Sequence, residues 1–289
     1  MSGVNVLRAL SDTSFGHDKE CLTATFKSII RPLLDYGAPL VYPQYSQSSI
    51  RRLQLVQNKA LRLITGCHTA ASIDHLHQEA KVLPVEEHLL LLSAQSLAHA
   101  LQPDHPSHYF VRLPPGPRRM KETLSTKVSH LVSPFLVDDV MPVGGCKQAM
   151  DAIHTLVVAS KMQSYGNNRV LNDRAPAINP IEEFLPRPTR AALAQLRSGH
   201  CARLNDYQFY RLGRINSPLC PDCLIDDASS NHVFDCPAHP TQLTPVDMWT
   251  HPWEVASFLN SLPAFSHLPA TGPPPQRRPR RRPPPEPLP

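Results

Sequence analysis

The chain has 289 residues, with 32 prolines against 11 glycines, and its formal net charge at pH 7 is +5. This length is enough for one or two domains with a buried core, and so many prolines predict several linkers. Five arginines and one glutamate follow residue 271, so the rest of the chain is nearly neutral and any affinity for nucleic acid must come from local basic stripes.

The cysteines indicate the compartment. They number seven, an odd number, and the sequence contains neither a signal peptide nor a long apolar run. These features favour a reducing compartment in which the thiols are metal ligands or core residues. We therefore expect an intracellular protein, nuclear, cytoplasmic or both, with no membrane partner.

Apolar residues recur at helical spacing along much of the chain, which predicts a mainly α protein. Asp18 is placed to cap the first long helix, and Gly66 to end the second. Prolines bound the segment 38–43, which predicts an extended conformation there. Helices are expected over 18–36, from Ser48 or Ser49 to Gly66, and over 71–80, 85–101, 147–164 and 189–199.

The second of these helices has a basic face. Plotted at 100° per residue, its apolar residues fall on one side, and four cations with no acid among them lie on the other: Arg51, Arg52, Lys59 and Arg62. Such a stripe is commonly no more than a solvated face. The absence of acids also suits contact with a phosphate backbone, so all four are candidate nucleic-acid contacts.

Asp138 and Asp139 stand side by side among apolar residues, as paired carboxylates do in a hairpin that holds two Mg²⁺. Prolines and glycines flank the pair, however, and no upstream strand supplies a third carboxylate. We interpret the two residues as solvated acids in a linker, and we expect neither a Mg²⁺ site nor a catalytic residue in this chain.

The most specific motif is C-x2-C-x8-H-x3-C, formed by Cys220, Cys223, His232 and Cys236. Two thiolates on a tight turn, followed by a His and a Cys one helical turn apart, can converge on a single tetrahedral Zn²⁺. Four protein ligands close the coordination sphere, so this site would be structural rather than catalytic. The plainer interpretation is that these are ordinary buried thiols.

Further cations surround the motif and follow it. Arg190 and Arg197 lie seven residues apart, on one face of the predicted helix 189–199. The Pro/Arg-rich end of the chain is predicted to be a disordered tail that solvates, contacts nucleic acid or recruits a protein. The candidate nucleic-acid contacts in these regions are Arg190, Arg197, Arg203, Arg211, Arg277, Arg278, Arg280, Arg281 and Arg282.

The order of several segments resembles the C-terminal part of a jockey-type non-LTR retrotransposon reverse transcriptase. The residues that carry the resemblance are 7–10, 14–20, 36–39, 53–62, 73–85 and 189–204, with the Cys/His motif and Asp247-Met248-Trp249-Thr250 after them. Together they extend from about Val6 to Leu259. The Pro/Arg-rich tail is not part of the family pattern.

The resemblance implies an RNA-directed DNA polymerase whose catalytic palm would lie before Met1. The present chain would then contain a thumb-like helical region that grips the template–primer duplex, a connector and an RNA-binding zinc module. The implied partners are RNA, an RNA–DNA hybrid and the missing palm, with no small-molecule substrate. The only implied cofactor is one structural Zn²⁺.

On this basis the fold class is mainly α, with a helical thumb-like bundle, Pro-rich linkers, a small C-terminal zinc-knuckle-like module and a disordered tail. The predicted divisions are 1–102, 103–188 with one helix, 189–262 and 263–289. Three alternatives stay open: a zinc-stapled protein-interaction scaffold, a genuine polymerase that uses Asp138 and Asp139, and a non-functional relic of an element.

Overall fold

The structure is a computed structural model that describes residues 2–12, 16–112 and 123–273. It is mainly helical, as the apolar spacing predicts, and the described ranges contain only two isolated β-bridges, Val137 with Val140 and Leu219 with Asp227. The predicted tail contacts, Arg277 to Arg282, lie outside the described residues.

The first half of the chain contains seven of the α-helices that the structure describes. They are α1 (Ser2–Leu10), α2 (Lys19–Thr25), α3 (Arg31–Asp35), α4 (Ala38–Val41), α5 (Gln47–Thr65), α6 (Ile73–Ala80) and α7 (Val85–Ala100). A π-helical turn, Phe26–Ile30, joins α2 to α3, and a 3-10 turn, Tyr42–Gln44, follows α4.

The remaining helices include α10, which is the longest of them, and several shorter ones. They are α8 (His108–Arg112), α9 (Leu124–Val132), α10 (Gly145–Ser164), α11 (Arg187–Arg197), α12 (Asn205–Tyr207), α13 (His232–Asp235), α14 (Asp247–Thr250) and α15 (Pro252–Leu259). A π-helical turn, Gln208–Leu212, follows α12, and 3-10 turns lie at Ser133–Phe135, Pro180–Phe184 and Pro263–Phe265.

The helix ends follow their local chemistry, with two corrections. Asp18 caps α2 by accepting a hydrogen bond from the Cys21 amide at 2.7 Å, as predicted. The cap of α5 is Ser46, two or three residues before the predicted Ser48 or Ser49, and its hydroxyl accepts from the Ser49 amide at 3.2 Å. The segment 38–43 is helical rather than extended, because its prolines occupy first-turn positions, where no backbone N–H is needed.

Helices α8 and α9 are missing from the prediction, so the described residues between 103 and 188 contain three complete α-helices, α8, α9 and α10, instead of one. Of the two that were missed, α9 is the longer. Thr123 and Thr126 form a reciprocal capping box at its start, at 3.2 and 2.8 Å. Val128 and Val132, one turn apart, are fully buried against α7 and α10.

Three apolar cores hold the fold together. The N-terminal core is formed by α1, α2, α5 and α6, and the middle core by α7, α9 and α10. The C-terminal core is formed by α11, α13, α14, α15 and the turns around them. Their central side chains are, in that order, Leu22, Phe26, Leu61 and Leu76; Leu97, Val128 and Ile153; and Leu193, Leu196, Val255 and Phe265.

Helix α11 lies between the N-terminal and C-terminal cores and belongs to both. Ala194 packs into the N-terminal core, whereas Leu193 and Leu196 pack into the C-terminal core. Gly66, which ends α5 at φ +76°, approaches so closely that a β-carbon there would lie 2.6 Å from the Ala191 β-carbon. Gln195 donates to the Gly66 carbonyl at 2.8 Å across the same contact.

Buried arginines on α11 complete this junction. Arg187 donates to the carbonyls of Leu63 and Ile64, at 2.8 and 3.0 Å, and so satisfies free carbonyls at the end of α5. The Ser11 carbonyl, just beyond α1, accepts from the same guanidinium at 2.8 Å. One side chain therefore ties the ends of two helices to a third.

Burial corrects the prediction that Arg190 and Arg197 contact a phosphate backbone. Arg190 is 5% exposed and holds Glu20 through two hydrogen bonds of 2.6 and 2.5 Å. Arg197 is 0% exposed. It pairs with Glu79 at 3.2 Å, pairs with Glu182, and donates from Nε to the carbonyl of Met248 at 3.0 Å. Both charges are used inside the protein, so neither can bind nucleic acid.

We expect Gly66→Ala to lower the free energy of unfolding by about 2–4 kcal/mol, because a left-handed backbone and a close helix contact are both disturbed. Gly37→Ala is the matched control. Gly37 also has a positive φ, +68°, but a β-carbon there would meet nothing within 4 Å, so it should cost only about 1–2 kcal/mol. Urea unfolding followed by circular dichroism measures both, and equal losses would contradict a tight α5–α11 contact.

We expect Glu79→Gln to lower the free energy of unfolding by about 3–5 kcal/mol at pH 7, because it leaves Lys19 without its partner charge and the buried Arg197 with Glu182 alone. Burial by itself would raise the pKa of Glu79, but Lys19 and Arg197 outweigh it and lower the pKa below its ordinary value. The stabilisation is therefore complete above about pH 5 and is lost as the pH falls below about 4.

The difference between the wild type and Glu79→Gln should accordingly shrink between pH 5 and pH 3 in urea titrations. Glu254→Gln is the control, because Glu254 is exposed on α15 and should change stability by less than about 0.5 kcal/mol. A pH-independent difference would show that the charge of Glu79 does not stabilise the fold.

Candidate metal centre

The four Cys/His ligands predicted from the sequence come together in the structure. Cys220 and Cys223 lie on a loop after α12, whereas His232 begins α13 and Cys236 follows its last residue. The loop is tied back to the helical body by Asn205, which donates to the Leu219 carbonyl at 2.8 Å. Tyr210 adds a second tie by donating from its hydroxyl to Asp227 at 3.0 Å.

The loop is shaped by its backbone. The Cys220 amide donates to the Asp226 carbonyl at 2.8 Å, and the Leu224 amide donates back to the Cys220 carbonyl at 2.9 Å. Leu224 adopts a left-handed conformation, φ +57°, which directs the Ile225 amide to the Cys223 sulfur at 3.5 Å. Both thiol side chains therefore point to the same side of the turn, where α13 supplies the other two ligands.

The distances among the four side chains suit one tetrahedral metal ion. Their ligand atoms all lie within 4.8 Å of one another. The sulfurs of Cys220 and Cys236 are 3.9 Å apart, and Cys223 Sγ lies 3.3 Å from His232 Nε2. A tetrahedron with metal–sulfur bonds of about 2.3 Å has edges of about 3.8 Å, so the donors already stand near the required separations.

The surroundings of the ligands favour metal binding in two ways. The amide of Ile225 lowers the pKa of the Cys223 thiol to about 7, towards the thiolate form that binds metals. The other imidazole nitrogen of His232, Nδ1, faces Asp226 at 4.0 Å, in the outer position that carboxylates take behind metal-bound histidines. His239 contacts the Asp222 carboxylate at 3.0 Å and so holds the turn between Cys220 and Cys223 against the segment that follows Cys236.

The remaining cysteines have a different character. Cys21 is exposed, and Cys67, Cys146 and Cys201 are buried away from the motif. Burial raises the pKa of Cys67 and of Cys201 to about 12, so these two thiols stay protonated at neutral pH. Within the described ranges, the motif residues form the one group of His, Cys, Asp or Glu side chains positioned to share a metal ion.

Asp138 and Asp139 occupy a tight turn. They adopt φ values of +51° and +61° between the bridged residues Val137 and Val140, which is the backbone of a type I′ hairpin turn. Aspartate tolerates the left-handed conformation better than most residues, and both side chains are exposed. The turn explains the adjacent acids without a catalytic role.

The basic residues predicted on α5 lie on its solvent side. Arg51, Arg52 and Lys59 are exposed, and none of them pairs with an acid in the described part of the chain. Arg62 is half-buried on the same face. Near the metal centre, Arg211 is exposed on the turn after α12, whereas Arg203 is half-buried and bonded to His267 at 2.7 Å.

Comparisons with protein-family models, with curated proteins and with solved structures find no match to this chain. Across the residues that the structure describes, no helix combines the length and apolar character needed to cross a membrane. The case for a function therefore comes from the metal centre and the basic surfaces themselves.

We expect one bound metal ion per chain, measured by elemental analysis of protein purified without chelators. Cys236→Ser should abolish the bound metal and accelerate amide exchange over residues 218–236, because Cys220, Ala228 and Cys236 alone make up the buried core of this loop. Cys21→Ser is the matched control, because Cys21 is exposed on α2, and it should change neither measurement. The site would be contradicted if wild-type protein contained no metal ion as purified and showed the same amide exchange over residues 218–236 as Cys236→Ser.

Proposed function

We propose that the chain is a non-catalytic, C-terminal part of a non-LTR retrotransposon reverse transcriptase that binds RNA or an RNA–DNA hybrid through backbone contacts. The family assignment rests on the resemblance in sequence and in the order of the segments named above. The single observation that carries the binding activity is the set of exposed, unpaired cations on α5. Unpaired cations are available to phosphates without first breaking an internal ion pair.

The geometry of the basic stripe suits an extended polyanion. Arg51 and Arg62 are eleven residues apart, which corresponds to about 16 Å of helix. Leu55 lies among the cations and is 56% exposed, so the face also offers an apolar contact. No acidic residue interrupts α5, and the attraction therefore acts along its whole exposed side.

The metal centre extends this surface. Three residues after the end of α5, His68 stacks on Tyr207 with a centroid separation of 5.0 Å. Arg211 follows Tyr207 by four residues. The C-terminal end of the basic stripe on α5 therefore lies near the segment 207–211, which contains Arg211. We propose that the bound metal is Zn²⁺, because three thiolates and an imidazole are ligands that zinc prefers, and that it fixes the position of this segment.

We expect the triple variant Arg51→Gln, Arg52→Gln, Lys59→Gln to bind single-stranded RNA more weakly and with a shallower salt dependence. Three lost phosphate contacts should reduce the slope of log K against log salt by about two units. Fluorescence anisotropy with labelled RNA, between 50 and 300 mM NaCl, measures both quantities. An RNA–DNA hybrid in parallel tests which substrate is preferred.

The matched control removes three exposed cations elsewhere, Lys27, Lys147 and Arg174, and so changes the net charge equally. It should retain most of the affinity and the slope. An equal loss in both triple variants would indicate general attraction to a positive protein instead of a site on α5. No binding by the wild type at 50 mM NaCl would overturn the proposal.

A protein-interaction scaffold is the second candidate, and one observation favours it. Leu224 and Ile225, at the tip of the metal-binding loop, are 69% and 65% exposed, although large apolar residues at such a tip gain nothing from solvent. A partner that survives nuclease treatment and is lost on Leu224→Ser would favour this function. An in-frame polymerase palm encoded upstream of Met1 would favour the first.

A further inference from the structure

A cavity of about 850 Å³ opens between the N-terminal helices, α10 and the connector. It lies between the π-helical turn after α2, the helices α6 and α7, the C-terminal half of α10 and the segment 175–178, with Trp249 also in its wall. This volume is within the range of about 300–1,000 Å³ that is typical of small-molecule sites. None of the residues of the basic stripe on α5 lines it.

Most of the wall is apolar. Its apolar side chains include Phe26, Leu83, Leu91, Leu92, Val158 and Met162. They come from the π-helical turn, from α7 and the loop before it, and from α10, and Phe26 and Leu91 also belong to two different cores. An apolar cavity of this size favours a ligand with an apolar body, because burying such a body removes both surfaces from water.

The charged groups in the wall are mostly neutralised by one another. Glu79 is held by Lys19 and Arg197, Arg31 pairs with Asp35 at 3.4 Å, and Lys161 pairs with Glu87 at 2.8 Å.

The histidines at the cavity are also occupied. His75 donates from Nε2 to the Ala194 carbonyl at 3.0 Å, and His77 donates from Nδ1 to the Val82 carbonyl at 2.8 Å. Burial lowers the pKa of both, so they are neutral at pH 7. His88 faces Asp35 at 3.0 Å, and His154 is exposed at the edge.

Two cations remain without a partner. Lys27 and Lys81 are exposed, and neither pairs with an acid among the described residues. Both line the large cavity and also a smaller one of about 330 Å³ beside it, which places them at the rim that the two share. Glu183 is an exposed acid at this rim, but it lines only the smaller cavity. The charge left over at the mouth of the large cavity is therefore positive.

We propose that this cavity binds a small organic anion with an apolar body. The body would lie along Leu92, Val158 and Met162, and a carboxylate or phosphate at its end would face Lys27 and Lys81. The family resemblance implies no small-molecule substrate. No sequence motif marks this cavity either, because its wall is assembled from separate segments of the chain. The inference does not depend on nucleic-acid binding, since the two surfaces share no residue.

The binding test uses dodecanoate and dodecyl phosphate below their micelle concentrations, with dodecanol and dodecylammonium as uncharged and cationic counterparts. Trp253→Phe leaves Trp249 as the sole tryptophan, and Trp249 lines the cavity, so its emission reports occupancy directly. At least one of the two anions should bind and shift the Trp249 emission. The comparison between them shows whether the cavity prefers a carboxylate or a phosphate. Equal binding of dodecylammonium, or no binding of either anion, would overturn the proposal.

Variants of the rim and of the wall locate the site. Lys27→Gln and Lys81→Gln should each weaken anion binding about fivefold, because each removes one partly screened charge contact. Val158→Phe, which adds bulk inside the cavity without adding a tryptophan, should reduce binding further, and Lys147→Gln, an exposed change at the start of α10, should leave it unchanged. Circular dichroism checks that each variant is folded. Binding that is the same in all four variants would show non-specific adsorption and refute the site.

Discussion

The ion pairs of Arg197 with Glu79 and Glu182 are the interaction on which the rest of the molecule depends. The guanidinium is fully buried, and its partners come from α6, from the 3-10 turn before α11 and from the backbone of α14. Charges withdrawn from water need complete pairing to be tolerated, and here all three guanidinium nitrogens donate hydrogen bonds, while the group also contacts the Trp249 ring at 5.7 Å. The pairing therefore fixes where the C-terminal core stands on the N-terminal one.

The metal-binding loop depends on this junction without contributing to it. Its own buried core is limited to Cys220, Ala228 and Cys236, too small to hold a fold by burial alone. A metal ion held by the four ligands would compensate for the missing apolar contacts, and the hydrogen bonds from Asn205 and Tyr210 set the orientation of the loop on the helical body. The basic stripe on α5 reaches the same region through the stacked pair His68 and Tyr207. A binding surface that includes both the metal-binding loop and the basic stripe on α5 therefore requires a rigid junction between the N-terminal and C-terminal cores.

Local chemistry predicts the long helices and the metal ligands well, because caps, apolar spacing and ligand spacing are all short-range signals. The buried arginines could not be recognised in that way, since their carboxylate partners lie more than a hundred residues away in the chain for Glu79 and Glu20. One local signal was present. On a helical wheel, Arg190 and Arg197 fall between Leu193 and Ala194 instead of opposite them, whereas the cations of α5 face away from its apolar side. Cations placed within an apolar face indicate buried pairing.

The long sequence separation of these contacts has a consequence for biosynthesis. Arg187 reaches the end of α5 across 123 residues, and Arg197 reaches Glu79 across 118. While the chain is being synthesised, the N-terminal helices are therefore complete long before α11 can satisfy their carbonyls and carboxylate. During that interval the site that Ala194 will fill in the N-terminal core is empty, and Glu79 has Lys19 as a partner but not yet Arg197. Until α11 docks there, this exposed apolar surface is of the kind that chaperones bind.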